Sequence, residues 1–107
     1  MSLNFYLERV EPIIVFDRNI THNLNQMATE VGIYKHLWRP DEIGITKAKQ
    51  LIAPLTEGLN ELRSKPEHYE QFNPDNGWGT YDGLITFVAD VLKNCIKYPD
   101  ANIRISR

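Results

Sequence analysis

The chain has 107 residues, 42% hydrophobic and 24% charged, with 12 Lys+Arg against 14 Asp+Glu and a formal net charge of -2. That length has room for a single domain with one core, residues 1–107, and the near-neutral balance argues against a dedicated nucleic-acid binder, which shows a basic footprint. A lone cysteine, Cys95, excludes an intrachain disulfide framework and any zinc site needing two thiolates, and no apolar run reaches the roughly 18 residues of a membrane span.

Leu3, Phe5 and Leu7 alternate with Asn4, Tyr6 and Glu8. This period of two predicts a half-buried strand over Leu3–Val10. Pro12 interrupts it, and Ile13–Phe16 is a second short apolar run, either a strand or a buried extended segment, ending at Asp17-Arg18-Asn19. Thr21 then offers a hydroxyl to cap a helix. Leu24, Met27, Ala28 and Val31 follow at i, i+3, i+4 and i+7, one face of that helix, and Gly32 is placed as its left-handed stop. Ile33–Trp38 reads as a helical turn or a second helix, and Pro40 breaks it at Arg39 by disfavouring helical backbone in the residue before it.

Ala48, Leu51, Ile52, Leu55, Leu59 and Leu62 share the next helical face. Pro54 lies inside this pattern, so the expectation is one bent helix, with two helices as the alternative. Gly58 weakens the same helix by about 1 kcal/mol relative to Ala. Pro66 opens a short helix through Tyr69 to Phe72. Asn73–Gly79 is the strongest loop, carrying the turn dipeptides Asn-Pro and Asn-Gly. Thr80 caps the last helix, where Leu84, Val88, Val91 and Cys95 form one side and Ile85, Leu92 and Ile96 widen it. Asp82 and the pair Lys93 and Lys97 suit the two ends of its dipole. Beyond Pro99, the alternation around Ile103 and Ile105 predicts a terminal strand. The expected fold class is α+β, with three to four helices packed on a small antiparallel sheet that joins the N- and C-terminal strands.

Several short words occur together: Ile20-Thr21-His22-Asn23-Leu24, Gly32-Ile33-Tyr34, Leu37-Trp38-Arg39-Pro40, Asn76-Gly77-Trp78-Gly79 and Pro99-Asp100-Ala101. As a set, from about Ile20 to Arg107, they resemble a group of small uncharacterised proteins of bacteriophages, prophages and bacteria. The resemblance implies a bacterial or phage cytoplasmic setting and brings no catalytic residues. Gly32-Ile33-Tyr34 also matches three letters of the GIY-YIG nucleases, but no tyrosine precedes Gly44-Ile45 and Gly32 falls at a helix end, so that kinship is set aside.

Two segments stand out chemically. Thr21, His22 and Asn23 open a helix with no acid until Glu30, a donor-rich start suited to a phosphate or carboxylate. The plain alternative is a capped helix whose His22 and Asn23 bond to neighbouring loops. Trp38 with Arg39, and the loop Asn76, Gly77, Trp78 and Gly79, offer the residue types over-represented at interfaces. Their plain alternatives are a core Trp beside an exposed Arg, and a lid folded over the core. No nucleophile elbow, His-Glu-x-x-His pair or phosphate-cradling loop is present, so no catalytic set, metal or cofactor is expected. The leading expectation is a non-enzymatic binding or adaptor module with a protein partner; a homo-oligomer is compatible with it. The alternative is a small-ligand or nucleotide-binding protein or enzyme with an anion site at Thr21.

Overall fold

A computed structural model describes residues 1–9, 11 and 13–107. Val10, the expected end of the first strand, and Pro12 lie outside the described residues. The architecture is α+β: a three-stranded antiparallel sheet of order β2-β1-β3 joins the two ends of the chain, with helices packed on one face.

Strand β1 (Ser2–Glu8) is central, and its alternation decides which way the sheet faces. Leu3, Phe5 and Leu7 are fully buried, and each such side chain contributes about 1.5–3 kcal/mol by leaving water. Strand β2 runs from Ile14 to Thr21, so it continues through Asp17-Arg18-Asn19, where the sequence reading had ended it. Pairing with β1 explains the extension: the register Leu7↔Phe16, Phe5↔Arg18 and Leu3↔Ile20 keeps Phe16 and Ile20 on the core face. Arg18 falls on that face too, at the sheet margin, where its guanidinium pairs with Asp90. A register shift at Leu7/Glu8 marks a β-bulge. Strand β3 (Asn102–Ser106) lies on the other side of β1 and adds Ile103 and Ile105 to the same face. Its outer edge is partly covered, since the Ile103 amide donates to the Thr46 carbonyl at 2.9 Å. The edge of β2 carries Asp17 and Arg18 at its middle, charges that discourage pairing with a further strand.

Helix α1 (Asn25–Val31) follows a 3₁₀ turn at His22–Leu24 and ends where Gly32 takes φ 89°, the left-handed stop that the sequence predicted. Helix α2 (Tyr34–Trp38) and helix α4 (Pro66–Glu70) are five-residue turns, which brings the α-helix count among the described residues to five rather than three or four. Helix α3 (Ile52–Ser64) is preceded directly by a 3₁₀ turn at Ala48–Leu51. Pro54 therefore sits in the first turn of α3, where its missing N–H has no intrahelical acceptor to lose. The outcome is closer to two joined segments than to one bent helix. The Gln50 carboxamide oxygen accepts from the amides of Thr46 and Lys47 at 2.8 and 2.9 Å, and the amides of Ala48 and Lys49 donate to the carbonyls of Ala101 and Pro99, so this start is satisfied although it carries Lys47 and Lys49.

Helix α5 (Tyr81–Lys97) is the principal cover of the sheet. Thr80 Oγ1 accepts from the Gly83 amide at 3.0 Å, the expected cap, and Phe87 meets Phe5 edge-on with ring centroids 6.5 Å apart. Cys95 is fully buried, and burial pushes its thiol up to about 12, so it is an inert core residue. Gly58 has a packing role that composition does not show. A Cβ there would lie 2.6 Å from Ile33 Cγ2, so the glycine allows α3 to approach the segment before α2. No helix among the described residues is long and apolar enough to cross a membrane.

Candidate functional site

Loop Asn73–Gly79 is built by its own side chains. Asn73 Oδ1 accepts from the Tyr81 amide at 2.8 Å and ties the loop to the start of α5. Asn76 Oδ1 accepts from the Trp78 amide at 2.9 Å and tightens the turn that presents the indole. Gly77 and Gly79 have φ of 75° and 109°, a region that L side chains avoid. Gly79 also sits where a Cβ would come within 2.8 Å of Thr21 Cγ2 and 2.9 Å of Leu24 Cγ. The loop is thus pressed against the end of β2 and the turn that follows.

This contact joins two of the segments singled out in the sequence. Thr21, Asn23, Asn76 and Trp78 line one open groove of about 550 Å3, together with Met1, Ser2 and Asn19. Ser2 and Asn19 come from the polar outer face of the β1–β2 hairpin, in which Ser2 pairs with Thr21. Both were missed by the sequence reading. The period-two signal that places Asn19 and Thr21 on one face emerges only when β2 is carried through to Thr21. Trp78 is 69% exposed, the most exposed large hydrophobic among the described residues after Met1.

His22 takes a different direction. Its Nδ1 accepts from the Trp38 indole Nε1–H at 2.8 Å. Trp38 in turn stacks on Tyr34, with centroids 5.6 Å apart and planes at 19°. Trp38 is only 1% exposed, which corrects its place on the expected contact surface: it is a core residue. The reason is that α2 turns its apolar face inward and His22 satisfies the one polar atom that burial would otherwise strand. Arg39 stays at the surface but does not line the groove. It donates to the Tyr34 hydroxyl at 3.2 Å and pairs with Glu42 at 3.1 Å.

The backbone donors expected at Thr21–Asn23 are also engaged. The His22 amide donates to the Met1 carbonyl at 3.2 Å, and the Asn23 amide donates to Thr21 Oγ1 at 3.2 Å. Apart from the α-amino group of Met1, no cation among the described residues lines the groove, so it lacks the guanidinium or side-chain amine that usually meets a phosphate or carboxylate. Among the described residues, no group of three or more His, Cys, Asp or Glu is arranged to hold a metal ion. No known protein family, curated protein or solved structure matches the chain.

Proposed function

We propose that this chain is a non-enzymatic binding module, of the phage and bacterial kind that its sequence resembles, and that it binds through the Trp78 groove. The observation that carries the reading is the 69% exposed indole, held by its own loop beside the side chains of Thr21, Asn23 and Asn76. An aromatic ring kept in water forgoes the burial that drives folding, and tryptophan is enriched at the residues that carry binding energy when a partner covers a surface. The groove side chains Ser2, Asn19, Thr21, Asn23 and Asn76 include no carboxylate, imidazole, thiol or amine. They can donate and accept hydrogen bonds but cannot act as general acid or base near neutral pH, which favours binding over catalysis. The anion-site alternative is weaker, because His22 and the two backbone amides are occupied within the chain.

The two tryptophans make the test simple. A 15N-labelled sample shows two indole N–H signals, one from buried Trp38 and one from exposed Trp78. Fractionated bacterial extract, both the protein and the small-molecule fractions, is expected to shift the Trp78 signal and leave that of Trp38 in place. A Trp78→Ala chain that keeps its circular dichroism should not retain the component that causes the shift. If no fraction moves the Trp78 signal, the reading fails.

A further inference from the structure

Resting on that reading, we propose that the Trp78 groove recognises a neutral saccharide, with the indole as stacking platform and the surrounding carboxamides and hydroxyls as its hydrogen-bonding rim. The first argument is the lining itself. Asn19, Asn23 and Asn76 supply three carboxamides, and Ser2 and Thr21 supply two hydroxyls. Each of these groups both donates and accepts; Thr21 Oγ1 and Asn76 Oδ1 each already accept one bond within the chain and keep their donors and a second lone pair for a ligand. A sugar hydroxyl has the same dual character, so a ring bearing several of them meets matched partners whichever way each hydroxyl turns.

The second argument is charge. A phosphorylated, sulfated or carboxylated ligand calls for Arg or Lys, and a cationic one for a carboxylate. The groove side chains offer neither, and the α-amino group of Met1 is the single charge that the lining residues bring. A mononucleotide could stack its base on the indole but would bring a phosphate with no cationic side chain to meet it. Among the described residues, an apolar peptide segment would find Trp78 and Met1 as its only large hydrophobic contacts in the groove. A pyranose presents a flat face of C–H groups, weakly positive, to the negative face of an aromatic ring. Its edge carries the hydroxyls that the rim would bind.

The third argument is preorganisation. Trp78 does not hang on a free tail: Asn76 Oδ1 holds its amide, Asn73 Oδ1 holds the far end of the loop, and Gly79 is seated against Thr21 and Leu24. A platform ordered before binding loses less conformational entropy when the ligand arrives. This matters most for sugars, whose hydrogen bonds largely replace bonds already made to water.

The test uses the full chain carrying its label at the C-terminus, which leaves Met1 and Ser2 in the groove as they are. An array of neutral glycans, with acidic glycans printed beside them, selects the best neutral oligosaccharide, and NMR titration then follows the two indole signals. Adenosine monophosphate and a galacturonate oligomer serve as charged probes. A saturable shift of the Trp78 indole by a neutral oligosaccharide, with Trp38 unmoved, supports the proposal. Affinity should fall tenfold or more in Trp78→Ala, several-fold in Asn23→Ala, and less in Trp78→Tyr, which keeps an aromatic face. The proposal is overturned if no neutral glycan moves that signal, if Trp78→Ala binds as well as the parent, or if either charged probe binds more tightly. If a protein fraction of the extract moves the Trp78 signal while no glycan does, the saccharide inference fails and the binding-module reading stands. If neither moves it, both fail.

Discussion

The indole N–H of Trp38 donates to His22 Nδ1 at 2.8 Å, and the two residues stand 16 positions apart in the chain. The bond gives a fully buried tryptophan the partner its one polar atom needs, and it joins the turn at the end of β2 to α2. An accepting Nδ1 also places the proton of the neutral imidazole on Nε2. His22 thus has a structural task, and Thr21 and Asn23 on either side of it are left to line the groove.

Removing the acceptor should therefore cost more while the donor is present than after it has gone. His22→Ala leaves the Trp38 donor buried without a partner, at about 1–3 kcal/mol. Trp38→Phe removes the donor, so a His22→Ala change made on top of it should cost clearly less than the same change in the parent chain. Urea denaturation of the four chains measures this coupling directly. Strict additivity would show that the bond contributes nothing.

Gly58→Ala sets two effects of opposite sign against each other. Alanine gains about 1 kcal/mol of helix propensity over glycine. Its Cβ would stand 2.6 Å from Ile33 Cγ2, a branch fixed next to the backbone of a residue only 2% exposed. Overpacking of that kind costs about 1–3 kcal/mol. The expected result is net destabilisation in thermal unfolding, relieved in Gly58→Ala/Ile33→Leu, because leucine has no Cγ2 branch at Cβ. A stabilised single variant would refute the close-contact account.

The two loop glycines should behave differently on substitution. At Gly77 a Cβ meets open space, so Gly77→Ala carries only the left-handed backbone penalty of about 1–2 kcal/mol. Gly77→Asn should be milder still, since Asn tolerates that region. At Gly79 the same backbone penalty combines with contacts to Thr21 and Leu24. Gly79→Ala is expected to destabilise more and to free the loop, seen as a drop in 15N order parameters at Asn76–Trp78. Equal effects at both positions would show that Gly79 is not seated as described.

His36 sets a pH dependence of definite sign. Its Nδ1 is buried and without a hydrogen-bond partner among the described residues. Burial lowers its pKa from the ordinary 6.5, and the nearby Gly32 carbonyl offsets only part of that. The unfolded chain takes up this proton more readily than the folded one, so its contribution to stability is complete above pH 6.5. It is lost as pH falls through the lowered folded value. The urea midpoint should drop between pH 7.5 and 5.5, and the drop should be smaller in His36→Gln. An equal drop in both chains would assign the dependence to other groups.

What the sequence determined by itself is local. The alternation of Leu3, Phe5 and Leu7, the cap at Thr80, the stop at Gly32 and the apolar stripe of α5 are set by neighbours within a few residues, because strand pleat and helical turn repeat over two to four positions. The fold class and the pairing of the two ends followed from them. The tertiary structure decided what depends on distant parts of the chain. Trp38 and Trp78 both stand beside turns and look alike in sequence, yet one is 1% exposed and the other 69%. Which of them is covered depends on where His22 and Tyr34 lie, and that is settled only when β1 and β2 pair and α2 packs inward. The same pairing carries β2 through Asp17 to Thr21 and brings Ser2 and Asn19 beside Trp78. A groove assembled from three separate stretches leaves no periodic trace in any one of them.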